Sequence, residues 1–74
     1  MDRAVIEERL AMAERHITVG ELHIARQKEL IAELCQSGRD AAEAVKLLGL
    51  FEATQALHVA DRDRLRAQLA TMRW

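Results

Sequence analysis

The segment IEERLAMAERHITVGELHIARQKELIAEL, residues 6–34, decides the fold. Within it Ile6, Leu10, Ala13, Ile17, Gly20, Ile24, Gln27, Ile31 and Leu34 follow one another in unbroken steps of four and three. Steps of four and three average 3.5 residues, so one narrow seam of a long helix stays turned toward a partner helix. Glu14, His16 and Ile17 recur one heptad later as Glu21, His23 and Ile24. The repeat describes how the segment packs and names no reaction.

The one convincing break in the chain follows at Ser37-Gly38-Arg39-Asp40. Glycine takes the left-handed conformation that ends a helix at little steric cost. Asp40 followed three residues later by Glu43 has the form of a capping box for a new helix. The expected architecture is therefore a first helix over 3–36, a turn at 37–40 and a second helix over 40–72, each about 50 Å long. So short a connection makes the helices antiparallel neighbours, an all-α, coiled-coil-like two-helix hairpin.

The second helix carries its own seam of Ala44, Leu47, Phe51, Thr54, His58, Asp61, Leu65, Gln68 and Met72, of which four are polar or ionisable. Folding the chain about residue 38 or 39 sets Ile31 near Leu47, Ile24 near Thr54, Gly20 near His58, Ile17 near Asp61 and Ile6 near Met72. Further apolar residues flank both seams: Val5, Met12, Val19 and Leu30 on the first helix, and Leu50 and Leu57 with Leu48 and Val59 on the second. These arcs are wider than a single hairpin covers, which predicts a homodimer, or a higher oligomer, built as a four-helix bundle with Val5, Met12, Val19, Leu30, Leu50 and Leu57 at the interface. Another helical protein is the other partner such a surface would suit. Ala42, Gly49, Ala53, Ala56, Ala60 and Ala67 form a ridge of small residues on the second helix. Such a ridge either faces solvent as good helix formers or admits a closely packed backbone; Gly49, which costs a helix about 0.5–1 kcal/mol, favours contact.

Composition sets the remaining bounds. Seventy-four residues make one domain near the lower size limit for a self-sufficient core. Half of them are hydrophobic, but thirteen are alanine, so the large-side-chain core is thin. Proline and tyrosine are absent, and the rest is rich in strong helix formers. A formal net charge of −1 offers no general attraction to nucleic acid or anionic lipid. A single cysteine, Cys35, excludes an intramolecular disulfide. Asp2, Arg3, Glu7 and Glu8 interrupt any signal-like apolar run at the N-terminus, and no stretch approaches the ~20 apolar residues of a membrane span, so a cytoplasmic protein is expected.

Arg9, His16, His23 and Gln27 on the first helix, and Thr54, His58 and Asp61 on the second, stand where apolar residues belong. Buried polar groups persist when paired, so a hydrogen-bonded interior network is expected, with His16 facing Asp61 and His58 lying beside the space left by Gly20. One role for the network is to fix register and oligomeric state. A second is a metal site built from His16, His58 and Asp61, in which His58 and Asp61 converge at i, i+3; the Glu-x-x-His pairs of di-iron bundles are absent. A third is a pH-responsive interface. Arg62, Arg64, Arg66 and Arg73 raise nucleic-acid contact as a further reading, against which stand the absence of interleaved aromatics and the carboxylates nearby. Trp74 is placed to cap the bundle end opposite Arg3 and Ala4, or to fray. No nucleophile–base pair or phosphate-binding loop is present, the single serine is Ser37, and Cys35 lies at the negative end of the helix dipole, so a non-catalytic protein is expected.

Ala13-Glu-Arg-His-Ile17, Gly20-Glu-Leu-His-Ile-Ala-Arg-Gln27 and the run from Leu50-Phe-Glu-Ala through His58-Val-Ala-Asp to Leu65 resemble short uncharacterised helical-hairpin proteins common in alphaproteobacteria. The resemblance covers nearly the whole chain. It implies a small bacterial cytoplasmic protein and carries over no activity.

Overall fold

The computed structural model describes residues 2–72; Met1, Arg73 and Trp74 lie outside that range, and with them the expected role of Trp74 at the bundle end. Two helices, α1 (Arg3–Gln36) and α2 (Ala42–Ala70), lie antiparallel in a hairpin 60 Å long and 14 by 13 Å across. All nine positions of the expected α1 seam are buried or half-buried. Ile6, Ala13 and Leu65 form the core cluster, with Leu10, Leu69 and Met72 packed against it.

The turn is made as the sequence indicates. Gly38 has φ 71°, the Arg39 amide donates to the Leu34 carbonyl at 2.8 Å, and the Gly38 amide donates to Cys35 at 3.2 Å. These are the paired bonds of a Schellman motif, which satisfies the last orphan carbonyls of α1. The start of α2 differs from expectation. The Asp40 carboxylate accepts from the Ala42 amide two residues on, at 2.9 Å, and the Ala41 carbonyl accepts the first helical bond, from Val45. Asp40 thus closes a tight side-chain turn rather than a capping box, and α2 begins at Ala42 instead of residue 40. Glu43 is turned to Lys46, at 3.6 Å. At the other end α2 stops at Ala70, where the Thr71 and Met72 amides donate three residues back in a tightened last turn.

The α2 seam is the larger correction. The inward stripe is Ala41, Ala44, Leu48, Phe51, Gln55, His58, Arg62, Leu65, Leu69 and Met72, an unbroken three-four sequence of its own, with Val59 and the expected seam residue Asp61 half-buried on its two flanks. Leu47, Thr54 and Gln68, expected inside, are exposed. The helix is rotated by about 50°, half the 100° step between residues, which brings Leu48 and Leu69 inward in place of Leu47 and Gln68. It is also slid by about one turn. His16 meets His58 and His23 meets Phe51, while Gln27 donates to the Ala44 carbonyl at 2.9 Å. The chain doubles back beside the last turn of α1, so α2 starts level with a point before the end of α1.

Candidate functional site

The rotation of α2 gives the hairpin two unlike sides. Arg9, His16, His23 and Leu30 recur every seven residues along one edge of α1, and Val5, Met12 and Val19 form the next row outward. Across from them on α2 run Leu47, Thr54, Asp61 and Gln68, with Glu43, Leu50, Leu57 and Arg64 as the outer row. Two clefts confirm that these rows share a side: His16, Val19 and His23 line one with Thr54 and His58, and Arg9, Met12 and His16 line the other with Asp61 and Arg64. On the far side, Glu14 pairs with Arg66 at 3.0 Å. Of the eight large apolar side chains that stand exposed among the described residues, Met12, Val19, Leu30, Leu47, Leu50 and Leu57 are on the histidine side, whereas Leu22 and Val45 are not.

The first cleft, about 230 Å³, lies at the middle of the hairpin. Its floor is Gly20 and Gln55. The Gln55 amide nitrogen donates to the Ile17 carbonyl at 2.8 Å, and its oxygen lies where a side chain on residue 20 would begin. That oxygen is buried without a hydrogen-bond partner. Gly20 does make room for a side chain from α2, as the seam pattern suggests, but the guest is Gln55, because α2 is slid one turn and rotated. The signal that could have revealed Gln55 is the second three-four frame on α2, in which it lies a heptad from Leu48 and two from Leu69.

The three histidines converge only in part. The His16 and His58 rings lie 4.8 Å apart at 49°, and His23 packs on Phe51 at 5.6 Å. Asp61 lines the second cleft opposite His16, yet its carboxylate is taken by Arg64, so the expected His16–Asp61 pair is not formed. Of the proposed metal ligands, the structure brings His16 and His58 together and leaves Asp61 with Arg64. Among the described residues, no group of three or more histidine, cysteine or acidic side chains is placed to hold a metal ion.

The remaining candidates resolve simply. Arg62 is half-buried in the seam and reaches Asp63 at 3.0 Å, so Arg62, Arg64 and Arg66 each engage a carboxylate. The Ala42–Ala67 ridge is exposed throughout, and a side chain at Gly49 would meet nothing within 4 Å, so no backbone approaches it within the hairpin. Cys35 is an exposed free thiol in the last turn of α1. The Ser37 hydroxyl donates to the Glu33 and Leu34 carbonyls and belongs to the turn. No helix among the described residues is long and apolar enough to cross a membrane. Comparison with protein-family models, with curated proteins and with solved structures gives no match to this chain.

Proposed function

We propose that this chain is a non-catalytic helical interaction module that self-associates, two hairpins closing into a four-helix bundle through the histidine side. One observation carries the reading: among the described residues, six of the eight exposed large apolar side chains lie on one side of the hairpin, Leu50 at 65% and Leu57 at 72% among them, while only Ile6, Ala13, Ile17, Leu65 and Gln27 are buried. Exposed apolar bands of this extent mark interfaces, and each such side chain gains about 1 kcal/mol or more on losing its remaining contact with water. Of the expected interface residues, Met12, Val19, Leu30, Leu50 and Leu57 are exposed and Val5 is half-buried. The polar seam residues, Gln27 and Gln55 above all, serve to fix the register of the two helices. The free, exposed Cys35 suits the reducing cytoplasm, where we place the protein, in keeping with its likeness to short alphaproteobacterial hairpins.

Sedimentation at micromolar concentration tests the reading. The expected mass is twice the 8.4 kDa of the chain. Val19 and Val45 are exposed alike, at 51% and 52%, but on different sides. Val19→Glu is therefore expected to weaken association, by setting a charge in an apolar interface, and Val45→Glu to leave it intact. A compact, folded monomer of the unmodified chain would refute the proposal.

A further inference from the structure

Resting on that self-association, we infer that the two copies lie reversed, their turns at opposite ends and the two-fold axis crossing the helices at the histidine cleft. The hairpin is 60 Å long and 14 Å wide, so a second copy of the same dimensions laid along it covers the whole histidine side. The size fits a second copy laid along the full length.

Two closures keep every neighbouring pair of helices antiparallel, and charge separates them. With the turns together, α1 lies on α2 of the second copy, residues at one level meeting each other. Arg9 and Arg64 share two clefts and therefore one level. That closure sets Arg9 over Arg64 of the second copy, and the reverse, giving two like-charge contacts that work against it.

With the turns at opposite ends, α2 lies antiparallel on α2 of the second copy. The outer row of α2 reads Glu43, Leu50, Leu57, Arg64 at intervals of seven. Read against itself in reverse, this row is self-complementary: Glu43 meets Arg64, Leu50 meets Leu57, and each contact recurs on the other side of the axis. A two-fold interface requires such a patch, in which residue i contacts j and j contacts i. Glu43 and Arg64 are themselves well exposed, and their local partners, exposed Lys46 and half-exposed Asp61, leave room for a second contact at the rim. The midpoint of the row falls between Ala53 and Thr54, and Thr54 lines the histidine cleft. The clefts of the two copies then face each other across the axis and close into one interior chamber that neither copy encloses alone.

Cys35, exposed and the only cysteine, reports the arrangement directly. Nitroxide spin labels on Cys35 of the otherwise unmodified protein are expected to give an intermolecular distance of about 45 Å, from some 29 residues of helix at 1.5 Å each. A distance below about 25 Å, with a dimeric mass, would overturn the reversed arrangement and leave self-association standing. A monomeric mass with no intermolecular distance would remove both. Charge exchange is the second arm. Glu43→Arg and Arg64→Glu are each expected to weaken the dimer about tenfold, because each contact occurs twice, and the double variant to return to within about twofold of the original. Equal weakening by the double variant and the sum of the singles would show that the two residues do not meet, and would overturn the pairing.

Discussion

Gly20→Ala separates two opposing effects that the structure places on one residue. Alanine in a helix interior is favoured over glycine by about 0.8–1 kcal/mol, so helix propensity alone predicts stabilisation. The new Cβ, however, would occupy the position of the Gln55 amide oxygen. Gln55 is the flexible partner and must swing out, which breaks its hydrogen bond to the Ile17 carbonyl, worth about 0.5–1.5 kcal/mol, and opens the floor of the cleft. Its oxygen has no partner to lose, so exposure to water offsets part of that cost. The expected net change for Gly20→Ala is within about 0.5 kcal/mol of zero, and Gly20→Leu, which cannot be accommodated beside Gln55, is expected to destabilise by about 1–3 kcal/mol. In a Gln55→Ala background the collision is gone and Gly20→Ala is expected to stabilise by its full propensity, about 1 kcal/mol. A double-mutant cycle followed by urea denaturation at fixed protomer concentration measures the difference as a coupling of about 1 kcal/mol. Equal stabilisation by Gly20→Ala in both backgrounds would mean that residues 20 and 55 do not touch, and the register of the hairpin would be wrong.

Three further outcomes follow from the same contacts. Gly38→Val is expected to cost about 1–2 kcal/mol in thermal unfolding, entirely from its φ of 71°, since a side chain there meets nothing within 4 Å; an unchanged melting temperature would place the chain reversal elsewhere. Gln27→Ala removes a buried side chain and its bond to the Ala44 carbonyl, and is expected to lower stability to urea by about 1–2 kcal/mol; no loss would place Gln27 on the surface. Asp61→Ala, which a buried His16 pairing would have made costly, is expected to change stability by no more than about 0.5 kcal/mol, because the carboxylate is half-exposed and paired with an exposed arginine; a loss above 2 kcal/mol would restore the interior pairing.

The α1 seam, the helix pair and the turn were legible in the sequence because each is a local property. Seven-residue spacing from Ile6 to Leu34 turns one stripe to one side whatever lies opposite, and Gly38 takes the left-handed conformation from backbone sterics alone. The apolar rows of Met12 and Val19 and of Leu50 and Leu57 were legible for the same reason. What could not be read is how α2 sits on α1. Two three-four frames run along α2 and share Ala44, Phe51, His58, Leu65 and Met72; they differ in taking Leu47, Thr54, Asp61 and Gln68, or Leu48, Gln55, Arg62 and Leu69. The first set is polar at three of its four positions and the second at two, so the hydrophobic pattern barely distinguishes them, with two leucines against one as the only local signal. The choice was made between helices: Gln55 fits over Gly20 and bonds Ile17, Gln27 reaches Ala44, and Glu14 meets Arg66. That tertiary choice places His58 against His16, gives Asp61 to Arg64, and puts six of the eight large apolar side chains exposed among the described residues on one side. Periodicity fixes which stripe of a helix is buried only when one frame is clearly more apolar; where two frames tie, contacts between residues far apart in sequence break the tie.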